Sequence, residues 1–314
     1  MTRADVEAAA RRLRVCRTPL LRSAWLSERC KADVWIKVEA LQAGGSFKIR
    51  GAFNALTVLR QARPGVDAVV TASAGNHGVA MSIAARELGI ELRVHVPKSA
   101  PDAKKRALVA NGATLHESAD YDAAEQDARD DAARSGTEFI SPYNHPDVIA
   151  GAGTVALEML EDQPGLEALV IPLGGGGLLA GAALVAAGDT REVRVIGAEA
   201  EASPVFTAAL AAGEITPVRV TPTLADGLAG NMEPGSRTFD LVRDLVHMVA
   251  LVAEDSLETA MRSLVYRERL VAEGAGACGV AALLQGGLQI EGGRVGVMLT
   301  GRNVDEAVLR RVLA

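Results

Sequence analysis

Residues 168–178 read Ala168-Leu169-Val170-Ile171-Pro172-Leu173-Gly174-Gly175-Gly176-Gly177-Leu178. The apolar run is too short for a helix and has no polar residue alternating through it, so it describes a strand buried on both faces. The four glycines end that strand, and the alanine-rich run from Leu178 describes a helix. A buried strand that feeds a helix is half of a βαβ unit, and such units build parallel sheets covered by helices on both faces.

The same alternation extends in both directions. Strands are expected at 34–38, 68–72, 92–96, 113–116, 138–140, 193–198, 248–252 and 295–299. Helices are expected at 75–88, from Pro101 to Gly112, and at 121–134, 147–160, 203–212, 256–270 and 304–313. The fold class is therefore α/β, with two domains, each an open and mostly parallel sheet with helices on both faces. The segment Ser141-Pro142-Tyr143-Asn144-His145-Pro146 reads as a crossover. It makes residues 66–144 a small domain inserted into a large one formed by 1–65 and 145–314. The Gly/Pro-rich stretch 221–235 is the longest irregular segment, and such segments often serve function.

Composition excludes several classes. The chain has 314 residues, a net charge of −6 and 3% aromatics, so it lacks the basic footprint and stacking platforms of nucleic-acid binding. No apolar run reaches the length of a membrane span, and residues 1–14 have no signal-peptide core. Cys16, Cys30 and Cys278 are far apart and odd in number, which argues against a disulfide framework or a structural zinc site and suits a cytoplasmic location.

In open α/β sheets, ligands gather at the carboxyl ends of strands. Four segments stand there. The glycines Gly174 to Gly177 let backbone N–H groups converge at a helix start, which is a phosphate cradle or else a tight turn needing positive φ. Lys48, in Gly44-Gly45-Ser46-Phe47-Lys48-Ile49-Arg50-Gly51-Ala52, has apolar neighbours that would lower its proton affinity and make it a nucleophilic amine; most lysines are simply solvated. In Ser73-Ala74-Gly75-Asn76-His77-Gly78, Ser73 either caps a helix or joins backbone N–H groups in binding a carboxylate. Thr300, before Gly301-Arg302-Asn303, offers a neutral hydroxyl. A phosphate cradle, an amine, a carboxylate loop and a hydroxyl together suit pyridoxal phosphate, which needs one partner for each of its parts and for its substrate.

These residues resemble the serine/threonine dehydratase and serine racemase branch of the fold type II, tryptophan-synthase-β-like, pyridoxal-phosphate enzymes. The resemblance runs in order through Thr18-Pro19-Leu20, Lys37-Val38-Glu39, Gly45 to Ala52, Ser73 to His77, Ile149-Ala150-Gly151, Gly153-Thr154, the four glycines, Ala225-Asp226-Gly227-Leu228 and Thr300-Gly301-Arg302-Asn303-Val304-Asp305. It implies that Lys48 is the Schiff-base lysine and that Phe47 packs near the cofactor ring. Asn76 would meet the ring's 3-hydroxyl oxygen, and Gly174, Gly175, Gly176, Gly177 and Leu178 would hold the phosphate. Thr300 would face the pyridine nitrogen. Ser73, Ala74, Gly75, Asn76 and His77 would surround the substrate carboxylate. The implied reaction is dehydration and deamination of a 3-hydroxy amino acid such as L-threonine or L-serine. Serine racemisation and 3-hydroxyaspartate cleavage are the alternatives, and a homodimer is the implied assembly.

Departures from the branch sharpen this expectation. Racemases carry a second serine where this chain has Ala74, and alanine cannot shuttle a proton, so racemisation should be weak. Glu199 matches one acid of the branch's divalent-cation site, but the second position is Val205, so no metal is expected. Arg302 would bind an acidic substrate side chain or, as most arginines do, pair with a surface aspartate; the latter is the expectation. Residue 314 leaves no length for the regulatory domain of biosynthetic threonine deaminases. Tyr143 and the 221–235 segment are expected to shape the substrate pocket.

Overall fold

The computed structural model describes all 314 residues. Ten strands are present: β1 (Leu20–Arg22), β2 (Asp33–Val38), β3 (Ala68–Ala72), β4 (Glu91–Pro97), β5 (Thr114–Ser118), β6 (Glu138–Phe139), β7 (Ala168–Leu173), β8 (Arg194–Ala200), β9 (Met248–Val252) and β10 (Arg294–Leu299). They form a six-stranded sheet of order β1-β2-β10-β7-β8-β9 and a four-stranded sheet of order β5-β4-β3-β6. All neighbours run parallel except β1 against β2. The expected α/β class with mostly parallel sheets is thus the observed one.

Strand β7 shows why. All six of its residues are buried. Ala168 and Val170 join one apolar cluster, with Val34, Ile36, Val38, Val295 and Val297, while Leu169, Ile171 and Leu173 join another, with Leu179, Val195 and Met298. Each face of the sheet therefore has its own core. The helix Gly177–Ala187 that follows is buried over nearly its whole surface, which explains its lack of any polar stripe. The small sheet is also covered on both faces. Val69, Leu92, Val94 and Val96 pack with Ile49, Leu56 and Met81, while Val70 and Ala72 meet Ala128 and Ala132. The helix Lys48–Ala62 thus lends apolar residues to the core of the small sheet.

The structure adds elements that the sequence pattern did not reveal: β1 and the helices Arg3–Arg12, Ala24–Cys30, Arg237–Leu245 and Gly274–Gln285. Several expected helices differ in extent, two of them for reasons visible in the backbone. Pro101 adopts an extended ψ of 136° and stands just outside the helix Asp102–Ala110. The helix expected to reach residue 270 is α-helical over Glu254–Ser263, widens to a π-turn over Leu264–Glu268, and stops where Arg269 turns left-handed at φ 59°.

Candidate active site

The carboxyl ends of β3, β7 and β10 bring together the segments singled out in the sequence. Lys48 opens the helix Lys48–Ala62, and its partly buried Nζ donates to the Pro142 carbonyl at 2.8 Å. The ammonium lies 5.3 Å from the centre of the Phe47 ring. Burial lowers its pKa from 10.5 to about 8, because the charged form is the one that loses water. This is the apolar setting that the Phe47 and Ile49 neighbours suggested.

Two backbone hydrogen bonds join the segment before Lys48 to the Thr300 segment. Phe47 N–H donates to Thr300 O at 3.0 Å, and Arg302 N–H donates to Gly45 O at 3.0 Å, around an antiparallel bridge between Ser46 and Gly301. Thr300 is buried at the end of β10.

The loop Ser73–Gly75 connects β3 to the helix Asn76–Leu88, which has no side-chain cap. Ser73 does not cap that helix; its Oγ accepts from Gly75 N–H at 3.2 Å. The first-turn N–H groups are left without an intrahelical acceptor, as at every helix start, and suit a carboxylate. His77 differs from the expected role in one respect. Its imidazole is buried and lies 3.1 Å from Thr71 Oγ1, which itself donates to Ile140 O at 2.7 Å. Burial, then the Lys48 charge, holds the His77 pKa well below its ordinary value, so the ring is neutral and braces the loop.

The glycine quartet has the geometry that a cradle needs. Gly176 has φ 86°, and a Cβ there would come within 2.6 Å of the Phe206 ring. Thr238 Oγ1 donates to Gly175 O at 2.9 Å, turning that carbonyl away. The helix Gly177–Ala187 starts buried and with no side-chain cap. A buried helix start without acceptors demands an anion, and a phosphate supplies one. Tyr143 lies beside the quartet, with its carbonyl within 2.7 Å of a Cβ at Gly177. Its hydroxyl accepts from Glu233 N–H at 2.7 Å, which ties it to the irregular 221–235 segment. The Glu233 carboxylate also accepts from Ser141 Oγ at 2.8 Å and pairs with Arg129.

One residue at this site is barely legible in the sequence. Glu273 is buried, and its Oε1 accepts from Asn76 Nδ2 at 2.6 Å. Burial raises its pKa to about 7. The only trace in the sequence is a lone acid ahead of an apolar helix. Glu199 holds no neighbouring acid; its Oε1 accepts from Phe206 N–H at 2.6 Å, and its Oε2 from Thr207 N–H at 2.9 Å and Thr207 Oγ1 at 2.6 Å. It caps the helix Val205–Ala212. Arg302 corrects an expectation: it is exposed, and its guanidinium pairs with no carboxylate.

An amine of lowered proton affinity, a buried anion cradle and a neutral hydroxyl on one set of strand ends fit pyridoxal phosphate. Comparison with known proteins agrees. Residues 12–301 match the family described as "Pyridoxal-phosphate dependent enzyme". The chain is 40% identical to the catabolic L-threonine dehydratase TdcB of Escherichia coli K12, over 96% of this chain and 92% of that one. It is 39% identical to an L-threo-3-hydroxyaspartate ammonia-lyase of a Pseudomonas species, over 96% and 95% of the two chains. The solved structure of maize serine racemase superposes with a TM-score of 0.92 at 32% identity, covering 99% of this chain and 96% of that one. The chain belongs to the pyridoxal-phosphate dependent enzyme family, and its cofactor is pyridoxal phosphate.

Proposed function

We propose that this member of the family is an ammonia-lyase that converts a small 3-hydroxy amino acid, L-threonine or L-serine, into a 2-oxo acid and ammonia by β-elimination. The observation that carries the reading is the Lys48 amine, whose pKa burial lowers to about 8 and whose backbone is zipped to the Thr300 segment. The names of the two sequence relatives above, both lyases of 3-hydroxy amino acids, support it.

In this reading Lys48 Nζ would hold the cofactor, with Phe47 beside the ring and Asn76 toward the ring oxygen. Thr300 would serve the pyridine nitrogen, and the N–H groups of Gly174, Gly175, Gly176, Gly177 and Leu178 would hold the phosphate. Pyridoxal phosphate, when bound, supplies the sink for the charge left at the substrate Cα. Ser73, Ala74, Gly75, Asn76 and His77 hold the substrate carboxylate through the Ser73 hydroxyl, the Asn76 amide and first-turn N–H groups. Released by the substrate amine, Lys48 Nζ takes the Cα proton; a pKa about 8 suits a base working near neutrality. An uncharged hydroxyl such as that of Thr300 would not keep the ring nitrogen protonated, which would favour loss of the β-hydroxyl over return of a proton to Cα. Water leaves with that hydroxyl, and one water returns as the released imine hydrolyses to 2-oxo acid and ammonia. Ala74 offers no proton to the opposite face of Cα, which disfavours racemisation.

The test is 2-oxo acid release by the cofactor-loaded protein from L-threonine, L-serine and L-threo-3-hydroxyaspartate, beside Lys48→Ala. We expect release from at least one of the first two and none from the variant. No release from any of the three overturns the reaction, and release by Lys48→Ala overturns the assignment of the amine. Arg302 supports a second reading, since an exposed guanidinium without a carboxylate partner beside Thr300 suits an acidic side chain. A higher kcat/KM for L-threo-3-hydroxyaspartate, lost in Arg302→Ala, would favour it. The proposal includes a homodimer, supported by the exposed Leu21, Leu41 and Tyr266. It also includes a cytoplasmic setting, supported by three free cysteines, and a small domain of residues 66–144 set on 1–65 and 145–314. Sedimentation reads the assembly directly.

A further inference from the structure

The helix Lys48–Ala62 begins at Phe47 with no side-chain cap. Something else must set its rotation, because residues two apart on a helix leave it on opposite sides, about 200° apart. Opposite Lys48 stands Arg50, which is fully buried. All five of its N–H donors are engaged. Nε and Nη2 meet the two Glu39 oxygens, each at 2.8 Å. Nη1 and Nη2 meet the Glu158 oxygens at 2.7 and 2.9 Å, and Nη1 also reaches Thr154 Oγ1 at 3.1 Å. Lys37 Nζ, fully buried, closes the cluster on Glu158 at 2.6 Å and on Thr18 O at 2.7 Å. Burial works against the Arg50 charge, but Glu39 and then Glu158 outweigh it.

The cluster joins three elements. Glu39 directly follows β2, and Thr154 and Glu158 lie on the helix Pro146–Asp162. That helix also touches the Lys48 helix backbone to backbone. A Cβ on Gly151 would come within 2.5 Å of Arg50 O, and one on Gly51 within 2.9 Å of Val148 O. The contact sets how far apart the helices stand, but helices with no side chains between them remain free to turn. A planar guanidinium held by two carboxylates removes that freedom.

We propose that Arg50 is a positioning residue for the reaction: clamped between Glu39 and Glu158, it fixes the rotation of its helix and thereby the place of the Lys48 amine. This rests on Lys48 being the reacting amine. Misplacing a reacting group by about 1 Å can cost about 100-fold in rate without weakening substrate binding.

The test compares cofactor-loaded Arg50→Lys, which keeps the charge and loses the fork, and Glu158→Gln, which keeps the shape and loses a charge. Leu59→Ala, at the far end of the same helix, destabilises without touching the cluster. Kinetics are normalised to bound cofactor by its visible absorbance. We expect kcat to fall about 10- to 100-fold in Arg50→Lys and less in Glu158→Gln, with KM within about threefold. Leu59→Ala should lower the thermal midpoint and leave kcat within about twofold. Should Arg50→Lys not fold, Glu158→Gln decides. Kcat within about twofold of the parent in the folded variants, or an equal fall in Leu59→Ala, overturns the inference. Activity in Lys48→Ala would instead overturn the reading beneath it.

Discussion

Asn76 Nδ2 donates to Glu273 Oε1 at 2.6 Å, while Asn76 Oδ1 accepts from Asn303 Nδ2 at 2.7 Å. The amide is therefore held from both ends, and a carboxyl buried beside it titrates near neutrality. Burial raises the Glu273 pKa from 4.5 to about 7, so the folded state holds this proton more tightly than the unfolded chain does. Its contribution is full below pH 4.5 and is lost as pH rises through about 7. In cofactor-free protein, Glu273→Gln should gain stability relative to the parent across that window, by about 3 kcal/mol in total. Denaturant unfolding at several pH values checks this, and a constant difference between the two proteins would contradict it.

Gly176 combines a left-handed backbone with a ring close behind it. Gly176→Ala should cost more than about 1 kcal/mol of stability and weaken cofactor binding. A titration of cofactor-free protein followed by visible absorbance measures the second effect. Unchanged affinity would show that the quartet is a turn and nothing more.

Glu199 spends both oxygens on the start of the helix Val205–Ala212. Removing it in Glu199→Ala should cost about 2 kcal/mol, as for other lost caps. The loss should be the same with and without EDTA. A loss abolished by EDTA would instead point to a cation at this carboxylate.

Ala74 lies in the loop between β3 and the helix Asn76–Leu88, which the proposed function assigns to the substrate carboxylate. Ala74→Ser places a hydroxyl there, and D-serine formation from L-serine should rise about tenfold or more. Chiral chromatography of the reaction follows it. No rise would mean that this position does not supply the opposite face of Cα.

The fold was legible because buried parallel strands read as apolar runs, and 34–38, 68–72, 168–173 and 295–299 all coincide with strands to within a residue. The helix Gly274–Gln285 was not, because three glycines in its first six residues erase helical propensity. Those glycines let Gly276 approach the Gly301 backbone and Gly279 approach Val297, a need that only the fold discloses. The site divides in the same way. Asn76, the glycine quartet and Thr300 stand at or close after strand ends, where a candidate site is legible, and Lys48 stands at a helix start among apolar neighbours. The Glu273 partner of Asn76 lies 197 residues away along the chain, and the Glu158 partner of Arg50 lies 108 away. No local pattern encodes such pairs, and Glu273, just ahead of a helix that the sequence hides, carries no mark of its own.

β10 is the tenth strand in the chain, yet it lies inside the six-stranded sheet, between β2 and β7. On the ribosome, β2 and β7 must therefore wait with bare edges until the final strand emerges. Thr300 arrives with that strand, so the Lys48 segment gains its partner segment only once β10 has emerged. A nascent chain that stops short of β10 therefore presents two sticky edges for chaperones to shield.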